Sequence, residues 1–452
     1  MRSRYNKRNL KGRPPQMKQK LTIGNVLVLG FALFAMFFGA GNLIFPPMLG
    51  QASGENWLYG FGAYILIDAG LAMLALMASF HYEGGIARIA RDQLGDAPAL
   101  ILLFMNALCL GPLVAIPRTA STTFEIAIAP MLPGVSSWVF AFIFFAVVIV
   151  LCLKPGKVVD IIGKVLSPLM FVCLLILIGA GMLFPLGPIE GGLDLNASLK
   201  MGLENGYQTM DMLGGLLFAV VTMMSVTSMG FTTKKSRMKV VGLSGLVASL
   251  ALLIVYGGLA YLGATASSAE GMQGLSSTGL LLSITNSLLG PWGGIILGVI
   301  VAFACLTTAI GLVSSCAETF VSLSGDRLRY KPLLLVISLV SLVLSNLGVE
   351  TIISIASPIL QVIYPMFMIM VVLSFFSKHI PKRTVYQCSV GAAFLITLLH
   401  EVGLRLSHPI EMTFLPLYDL GLYWVVPALL GGILGTLLPC KKAESVTDSK
   451  TV

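Results

Sequence analysis

Charged residues are scarce in this sequence, since Asp, Glu, Lys and Arg together make up 11% of its 452 residues. Soluble proteins carry about 25% charged residues, so the composition argues against a soluble globular protein. Hydrophobic residues account for 56% instead. Segments of ~20 apolar residues, the length that a helix needs to cross a bilayer, recur along the chain. The composition therefore predicts an all-α polytopic membrane protein.

Catalytic and metal-binding motifs are also missing. The seven cysteines form no CxxC pair and lie in or beside apolar segments, as small core residues of helices do, and the four histidines form no HExxH motif. The spans hold no nucleophile–base constellation, which argues against a membrane-embedded enzyme. They also hold no pore-filter pattern or ring of like charges, which argues against a channel. No cleavable signal peptide is expected, because the first apolar stretch is too long and lacks a cleavage site.

The apolar segments number twelve by this reading, which places both chain termini on the same side of the membrane. Of the 29 Lys and Arg residues, all but Arg118, Lys200 and Arg405 fall on the tails and connections of one face. The positive-inside rule then predicts both termini in the cytoplasm. Because the basic residues form no single patch, nucleic acid is not an expected partner. The predicted spans are residues 22–47, 57–80, 98–118, 136–153, 161–184, 206–230, 239–263, 291–320, 333–349, 351–376, 384–405 and 420–439.

The expected domain organisation has a single transmembrane transporter domain, residues 21–440, between two cytoplasmic tails. The basic N-terminal tail, residues 1–20, is interpreted as an anchor at anionic membrane lipid, and the C-terminal tail is residues 441–452. The transmembrane domain is divided into repeat one at residues 21–184, repeat two at residues 198–376, and two additional helices at residues 384–439.

Two connections have unusual composition. Residues 81–96 alternate apolar and charged residues and predict a short interfacial helix. Residues 265–290 are rich in Ser and Gly with an apolar second half, which fits either a re-entrant lid or an ordinary surface loop.

The stretch FFGAGNLIFPP, residues 37–47, interrupts the first span with Gly39, Gly41, Pro46 and Pro47. Gly and Pro are poor helix formers, and unwound backbone within a bilayer is tolerated only where it faces protein or a wet cavity. The pattern therefore predicts a break that lines a binding site. The alternative is a glycine-mediated contact between helices.

A second candidate break lies in span six at Gly214-Gly215, just after Asp211. Spans one and six begin two five-span halves, and because five is odd the second half enters the membrane with opposite polarity. Inverted repeats whose first helices are discontinuous are typical of LeuT-type transporters. The sequence therefore predicts a twelve-helix LeuT-type 5+5 inverted repeat with broken helices 1 and 6.

Broken helices can bind small molecules through their main chain. A helix N-terminus carries unpaired N–H groups and a partial positive charge, so the amides of Ala40, Gly41 and Asn42 could hold a substrate carboxylate without an arginine. The carbonyl groups near Ala35 and Phe38, at the end of the preceding half-helix, are hard oxygen ligands for a small cation.

Span eight offers further oxygen atoms in the sequence ACLTTAIGL. Thr307 and Thr308 are adjacent hydroxyls in an apolar helix, and Ala304 lies one turn before Thr307. The hydroxyls could complete a cation site opposite the break in span one. They could equally bond to carbonyls of their own helix, as threonine in membrane helices usually does.

Several motifs together resemble the bacterial branched-chain amino acid:cation symporters. They are FGAGNLIFPP, GPLVAIPRTASTTFE, NGYQTMD, ACLTTAIGL and SNLGVETIISIASPILQVIYP, and the likeness runs from about residue 20 to 440. The resemblance implies Na⁺-coupled uptake of leucine, isoleucine and valine across the inner or plasma membrane, with a monomer as the expected functional unit. The alternative is a proton-coupled transporter of another neutral amino acid.

The resemblance also implies the site. The cation would lie between the carbonyls of the first break and span eight, the substrate carboxylate would meet the amides after the first break, and carbonyls of span six would take the ammonium. The motif after Gly41 is one residue shorter than in the neurotransmitter:sodium branch, so the resemblance assigns no role to the Asn42 side chain. The predicted substrate-binding residues are Gly39, Ala40, Gly41, Asn42, Asp211, Leu213, Gly214 and Gly215, and the predicted Na⁺ ligands are Ala35, Phe38, Ala304, Thr307 and Thr308.

Four charged residues near the membrane remain open to interpretation. Asp68, well inside span two, could carry a proton, form a gate or be a structural carboxyl, since a charge at mid-bilayer costs ~3 kcal/mol or more. Asp211 could attract the substrate ammonium or be a solvated acid at the outer mouth. Arg118 and Glu125 could form a pair in a vestibule or an ordinary exposed pair.

Overall fold

The computed structural model describes residues 21–82, 85–153, 167–231, 233–380, 382–405 and 412–439. Within these ranges the chain is built of helices and connecting turns and contains no β-strand. The predicted all-α class is therefore confirmed. Both predicted tails, residues 1–20 and 441–452, lie outside the described ranges.

Three helices are extended by π-helical turns, at Leu66–Gly70, Cys109–Leu113 and Phe124–Ile128. The α-helices of the described ranges are α1 Ile23–Phe37, α2 Ala40–Ser53, α3 Trp57–Ile65, α4 Leu71–His81, α5 Gly85–Leu94, α6 Asp96–Leu108, α7 Ala115–Thr123, α8 Ser137–Leu153, α9 Ser167–Leu183, α10 Leu195–Thr209, α11 Asp211–Ser228, α12 Lys234–Thr265, α13 Ser277–Leu323, α14 Tyr330–Ser345, α15 Val349–Phe375, α16 Arg383–Gly403 and α17 Val425–Leu437.

Among the described residues, six helical stretches are long and apolar enough to cross a membrane by length and composition. Shorter apolar helices accompany them in the part of the chain that is described, among them α1, α8, α14 and α17. The chain is thus a multi-pass membrane protein, and the count of twelve spans stays a prediction. The six long stretches are Ala40–His81, Asp96–Ile128, Lys234–Thr265, Trp292–Leu323, Val349–Phe375 and Arg383–Gly403.

Glycines let the central helices pack with their backbones in contact. A Cβ at Gly50 of α2 would overlap the carbonyl of Ala260, and a Cβ at Gly263 of α12 would overlap the carbonyl of Pro47. These two glycines face each other's helix, so α2 and α12 approach more closely than side chains would permit. Small residues have this role in helix pairs within membranes.

A short amphipathic helix, α5, forms within the predicted interfacial segment. Its apolar side, which includes Ile86 and Ile89, is buried, and its Gln93 Nε2 donates a hydrogen bond to the carbonyl of Met370 at 3.1 Å. Helix α5 therefore packs its apolar side against the protein itself.

The Ser/Gly-rich segment ends in a helix that is capped by Ser276, whose hydroxyl accepts a hydrogen bond from the Gly279 amide. This helix begins at Ser277, bends sharply at Gly290, where φ is 68° and ψ is −169°, and continues as the rest of α13. We call residues 277–289 the lid helix. Two carboxylates hold its start: the amide and hydroxyl of Ser277 donate to Glu350 Oε1 at 2.8 and 2.7 Å, and the Thr278 hydroxyl donates to Glu125 Oε2 at 2.7 Å.

Candidate functional site

The first helix interruption lies at Phe38 and Gly39, between α1 and α2. Phe38 has extended backbone with ψ 98°, and Gly39 is extended with φ −123° and ψ −171°. Helix α2 then begins at Ala40, so the amides of Ala40 and Gly41 open its first turn, as predicted. Pro46 and Pro47 lie inside α2, which corrects the expectation that they contribute to the break.

The Asn42 side chain caps this helix start. Its Oδ1 accepts a hydrogen bond from the Gly39 amide at 3.3 Å, so the Gly39 amide is directed away from the carbonyl of Ala35, its ordinary partner in a continuing helix. The end of α1 therefore presents carbonyl oxygen that the helix itself does not use. Oxygen of this kind suits a small hard cation.

The second interruption is a single residue, Met210, between α10 and α11. Met210 adopts the left-handed conformation with φ 63° and ψ 17°, which is uncommon for a residue other than glycine. The predicted break at Gly214-Gly215 is wrong, because α11 runs without interruption from Asp211. A Cβ at Gly215 would lie 2.9 Å from the carbonyl oxygen of Ala72, so this glycine allows α11 to pack closely on α4.

Because the break lies at Met210, the main-chain groups without a partner in the helix differ from those that the sequence predicted. Leu213 and Gly214 lie in the first turn of α11, so their carbonyls point along the helix toward later amides and are not the free acceptors that the sequence predicted. The Gly214 amide donates to the carbonyl of Met210 at 2.8 Å, and the amides that have no partner within α11 are those of Asp211, Met212 and Leu213. One of them, on Met212, donates to the Tyr364 hydroxyl at 3.3 Å.

A buried hydrogen bond joins the two interruptions. Asn42 Nδ2 donates to Asp211 Oδ2 at 2.9 Å, and only 2% of Asn42 and 7% of Asp211 are exposed. The two residues are 169 positions apart in the sequence. The two helix starts are thus held side by side inside the protein, and Asp211 is a buried carboxylate of the site rather than a solvated acid.

Asp68 lies beside this bridge. It sits in the π-helical turn between α3 and α4 and is wholly buried. The polar side chains around its carboxyl belong to Asp211, Thr209, Tyr64 and Asn42. Two acids from different helices therefore share one buried polar cluster.

Arg118 is a component of the site that the sequence analysis placed elsewhere. Only 3% of it is exposed, its Nη1 donates to the carbonyl of Gln208 at 2.7 Å, and its guanidinium lies 5.5 Å from the ring centre of Phe45. The expected pair with Glu125 is absent, since Glu125 Oε1 accepts from the Val349 amide at 2.9 Å. The signal in the sequence was a lone arginine within a long apolar segment, which marks a functional position in a membrane protein.

The threonine pair behaves as two different groups. The Thr307 hydroxyl donates to the carbonyl of Ala304 at 2.9 Å, the bond within the helix that was the alternative reading. The Thr308 hydroxyl is buried and has no hydrogen-bond partner, and it lies 4.0 Å from where a Cβ would stand on Gly39. Thr308 therefore presents an unused oxygen to the first interruption.

A small cavity occupies the centre of these groups. Its volume is about 40 Å³, enough for water-sized groups and too small for an amino acid. The site is therefore closed in this conformation. The lining includes Gly39, Ala40, Asn42, Arg118, Thr209, Asp211, Gly214 and Thr308.

A larger groove of about 720 Å³ lies elsewhere, between α6, α15 and α16. Most of its lining is apolar, including Ile101, Met105 and Phe394. None of the residues at the two interruptions lines it, so it is not the candidate site. Its composition fits contact with lipid chains.

The fold is shared with solved transporters. The chain is similar to Mhp1, a nucleobase-cation-symport-1 family transporter in a closed conformation with bromovinylhydantoin bound, with a TM-score of 0.62 and 15% identity over 91% of this chain and 92% of that one. It is also similar to a Na⁺-coupled sialic acid symporter in a substrate-bound outward-open state, with a TM-score of 0.61 and 13% identity over 92% and 91% of the two chains. At these identities the likeness concerns the fold.

The sequence comparisons define the family. Residues 23–442 match the family described as branched-chain amino acid transport protein, and the chain belongs to this family. Relatives include the permease BraB of Bacillus subtilis, 37% identical over 93% of this chain and 97% of the relative, and the permease BrnQ of Escherichia coli, 33% identical over 96% and 100%. The family resemblance is therefore confirmed, and the protein is a transport protein and not an enzyme.

Proposed function

We propose that this chain is a secondary active symporter that imports leucine, isoleucine and valine together with Na⁺ by alternating access. The observation that carries the proposal is the buried meeting of two helix interruptions, which the Asn42–Asp211 hydrogen bond joins. The permease names of the relatives support the substrate class. The Na⁺-coupled sialic acid symporter of similar fold supports the ion.

The proposed architecture keeps twelve spans in two inverted five-span repeats, residues 21–184 and 198–376, followed by two helices. With this division each interruption would fall in the first helix of a repeat, which is the arrangement of LeuT-type transporters. The basic residues favour cytoplasmic termini, and the proposed location is the bacterial inner or plasma membrane. A monomer suffices, because the groups of the site come from one chain.

The substrate would lie between the interruptions. The amides of Ala40 and Gly41 would meet the carboxylate, since a helix start attracts anions. The carboxylate of Asp211 would meet the ammonium group, a role that the sequence analysis gave partly to carbonyls of Leu213 and Gly214. Gly39, Gly214 and Gly215 would complete the substrate site by leaving space and allowing close helix packing.

The Na⁺ ion would lie on the other side of the first interruption. Its proposed ligands are oxygen atoms, the type that hard cations prefer. The unused Thr308 hydroxyl and the carbonyls at the end of α1 support this position. The full proposed set is the carbonyls of Ala35, Phe38 and Ala304 and the hydroxyls of Thr307 and Thr308.

Coupling would arise because both ligands order one interruption, the ion at its carbonyl end and the substrate at its amide end. A zwitterionic amino acid carries no net charge, so Na⁺ carries the current. One charge moving through 100 mV contributes ~2.3 kcal/mol, and a tenfold Na⁺ gradient contributes ~1.4 kcal/mol. The sum of ~3.7 kcal/mol supports accumulation of a few hundred-fold, so one ion suffices.

The experiment is radiolabelled leucine uptake into proteoliposomes with and without an inward Na⁺ gradient, repeated with Thr307→Ala/Thr308→Ala. We expect Na⁺-driven uptake in the native protein, and the double variant should need at least tenfold more Na⁺ for half-maximal uptake. Thr397→Ala is the matched control, because Thr397 is a buried threonine of α16 whose hydroxyl bonds within its own helix. An unchanged Na⁺ dependence in the double variant would refute the assigned ion site.

A proton-coupled transporter of another neutral amino acid is the second candidate. The buried cluster of Asp68 and Asp211 favours it, since adjacent buried carboxyls can share a proton. Uptake that persists at alkaline pH and rises with Na⁺ would support the first proposal. Uptake that follows a proton gradient without Na⁺ and is lost in Asp68→Asn would support the second.

A further inference from the structure

Arg118 is a buried cation that lacks an anionic partner. No carboxylate in the described part of the chain forms an ion pair with it, and its Nη1 donates a hydrogen bond to the main-chain carbonyl of Gln208 at 2.7 Å. Its Nε is buried without any hydrogen-bond partner. A guanidinium has five N–H donors, so most of its hydrogen-bonding capacity remains for a further group.

A buried guanidinium that no carboxylate contacts is unfavourable. Removing an ion from water costs several kcal/mol even after the protein relaxes, and Asp211 does not offset this by contact, because its Oδ2 is bonded to Asn42 instead. Glu125 is bonded to the start of the lid helix and to α15. The arrangement is therefore suited to an anion that is not part of the chain.

The position of Arg118 defines where that anion would bind. A Cβ at Gly41 would lie 2.8 Å from Arg118 Nη2, so the guanidinium stands directly beside the first turn of α2, where the helix start also favours negative charge. Arg118 and Ala40 line the same small cavity as Asp211. The side chains of an arginine and an aspartate thus face one space.

We propose that Arg118 binds the α-carboxylate of the transported amino acid, together with the amides at the start of α2. The inference rests on the proposed function and adds a second group to its carboxylate site. Planar guanidinium and carboxylate groups form paired, charge-assisted hydrogen bonds. With the ammonium group at Asp211, the site recognises both charged groups of the amino acid. It therefore selects against compounds that have the same side chain but an amide, or no group at all, in place of the carboxylate.

The hydrogen bond from Arg118 Nη1 to the carbonyl of Gln208 connects the proposed carboxylate site to the end of α10. Gln208 lies in the last turn of α10, just before the left-handed Met210, so Arg118 contacts both interruptions at once. A carboxylate that draws the guanidinium toward α2 would act directly on the end of α10. Arg118 thereby links the presence of substrate to the relative position of the two interrupted helices.

The test measures competition against radiolabelled leucine binding, in the presence of Na⁺, by leucine, leucinamide and 4-methyl-2-oxopentanoate. The variants are Arg118→Gln and Arg118→Lys. Arg237→Gln is the matched control, because Arg237 is a partly buried arginine that, like Arg118, donates to a main-chain carbonyl, in its case from Nε to Phe231 at 2.9 Å, and it does not line the small cavity. Thermal unfolding of each purified variant reports whether the fold is retained.

We expect Arg118→Gln to weaken leucine binding by ~10- to 100-fold and leucinamide binding by less than about threefold, so the preference for the carboxylate collapses. Arg118→Lys keeps the charge without the planar pairing and should restore part of that preference, which also serves if Arg118→Gln does not fold. A leucine-to-leucinamide preference equal to that of the native protein in both variants would overturn the inference. If the native protein binds none of these compounds, the proposed function fails instead.

Discussion

At the scale of single residues, the hydrogen bond between Asn42 and Asp211 is the central contact of the site. Asn42 caps α2 through Oδ1 and reaches Asp211 through Nδ2. Removing the amide would leave a buried carboxylate oxygen without its donor, which costs about 1–3 kcal/mol and more for a charged group. The Asn42 side chain is therefore a structural connection between the two interruptions.

We expect Asn42→Ala to lower leucine uptake at least tenfold and to reduce the melting temperature of the purified protein. Asn106→Ala is the control, because Asn106 is an equally buried amide whose side-chain atoms have no hydrogen-bond partner. Uptake and melting temperature should change little in the control. Equal effects of the two substitutions would show that the connection to Asp211 has no special role.

The residue scale also shows what the sequence could not reveal. The glycines and the alanine of the first break were predictable, because their local composition disfavours a helix. The partners of Asn42 and Arg118 were not, since they lie on α11 and α10, far along the chain. The sequence placed Arg118 and Glu125 at the outer end of span three, as a vestibule pair or an ordinary exposed pair, because the non-helical backbone at Gly111 that precedes α7 cannot be deduced from spacing alone.

At the scale of helices, the two interruptions differ in how well the sequence predicts them. The first has a glycine, Gly39, and lies at Phe38 and Gly39, within the stretch that the sequence singled out. The second lies at Met210, a residue type that seldom adopts the left-handed conformation, so the nearby Gly214-Gly215 pair was chosen instead. That pair serves close packing of α11. Glycines in membrane helices indicate either a break or a contact, and the sequence alone does not distinguish the two.

Close helix packing gives a prediction at this scale. Gly263→Ala should reduce the yield of monodisperse protein and lower its melting temperature, because a Cβ there overlaps the carbonyl of Pro47 in α2 and overpacking costs typically 1–3 kcal/mol. Gly391→Ala should be neutral or stabilising, since nothing lies within 4 Å of its Cβ position. A Gly263→Ala protein as stable as the Gly391→Ala protein would contradict the close contact of α2 and α12.

At the scale of the whole molecule, hydrophobic composition and the count of apolar segments predicted an all-α, multi-pass membrane protein. The motifs predicted the family. Composition reports only how apolar a segment is, so it could not show that the lid helix is held by Glu125 and Glu350 or that α5 packs on the protein. Those features depend on contacts between distant segments, which the folded chain alone brings together.

The lid helix gives a prediction about the complete transport cycle. In a variant without native cysteines, Ser277→Cys/Glu350→Cys should be joined by a short bifunctional thiosulfonate reagent, because the native side chains are 2.7 Å apart. If the lid helix must leave α15 to admit substrate to the small closed cavity, the cross-link should abolish leucine uptake and a reductant should restore it. Each single-cysteine protein treated in the same way should keep its uptake. Full uptake by completely cross-linked protein would mean that substrate enters without separating the lid helix from Glu350, and the opening motion would then lie between other elements.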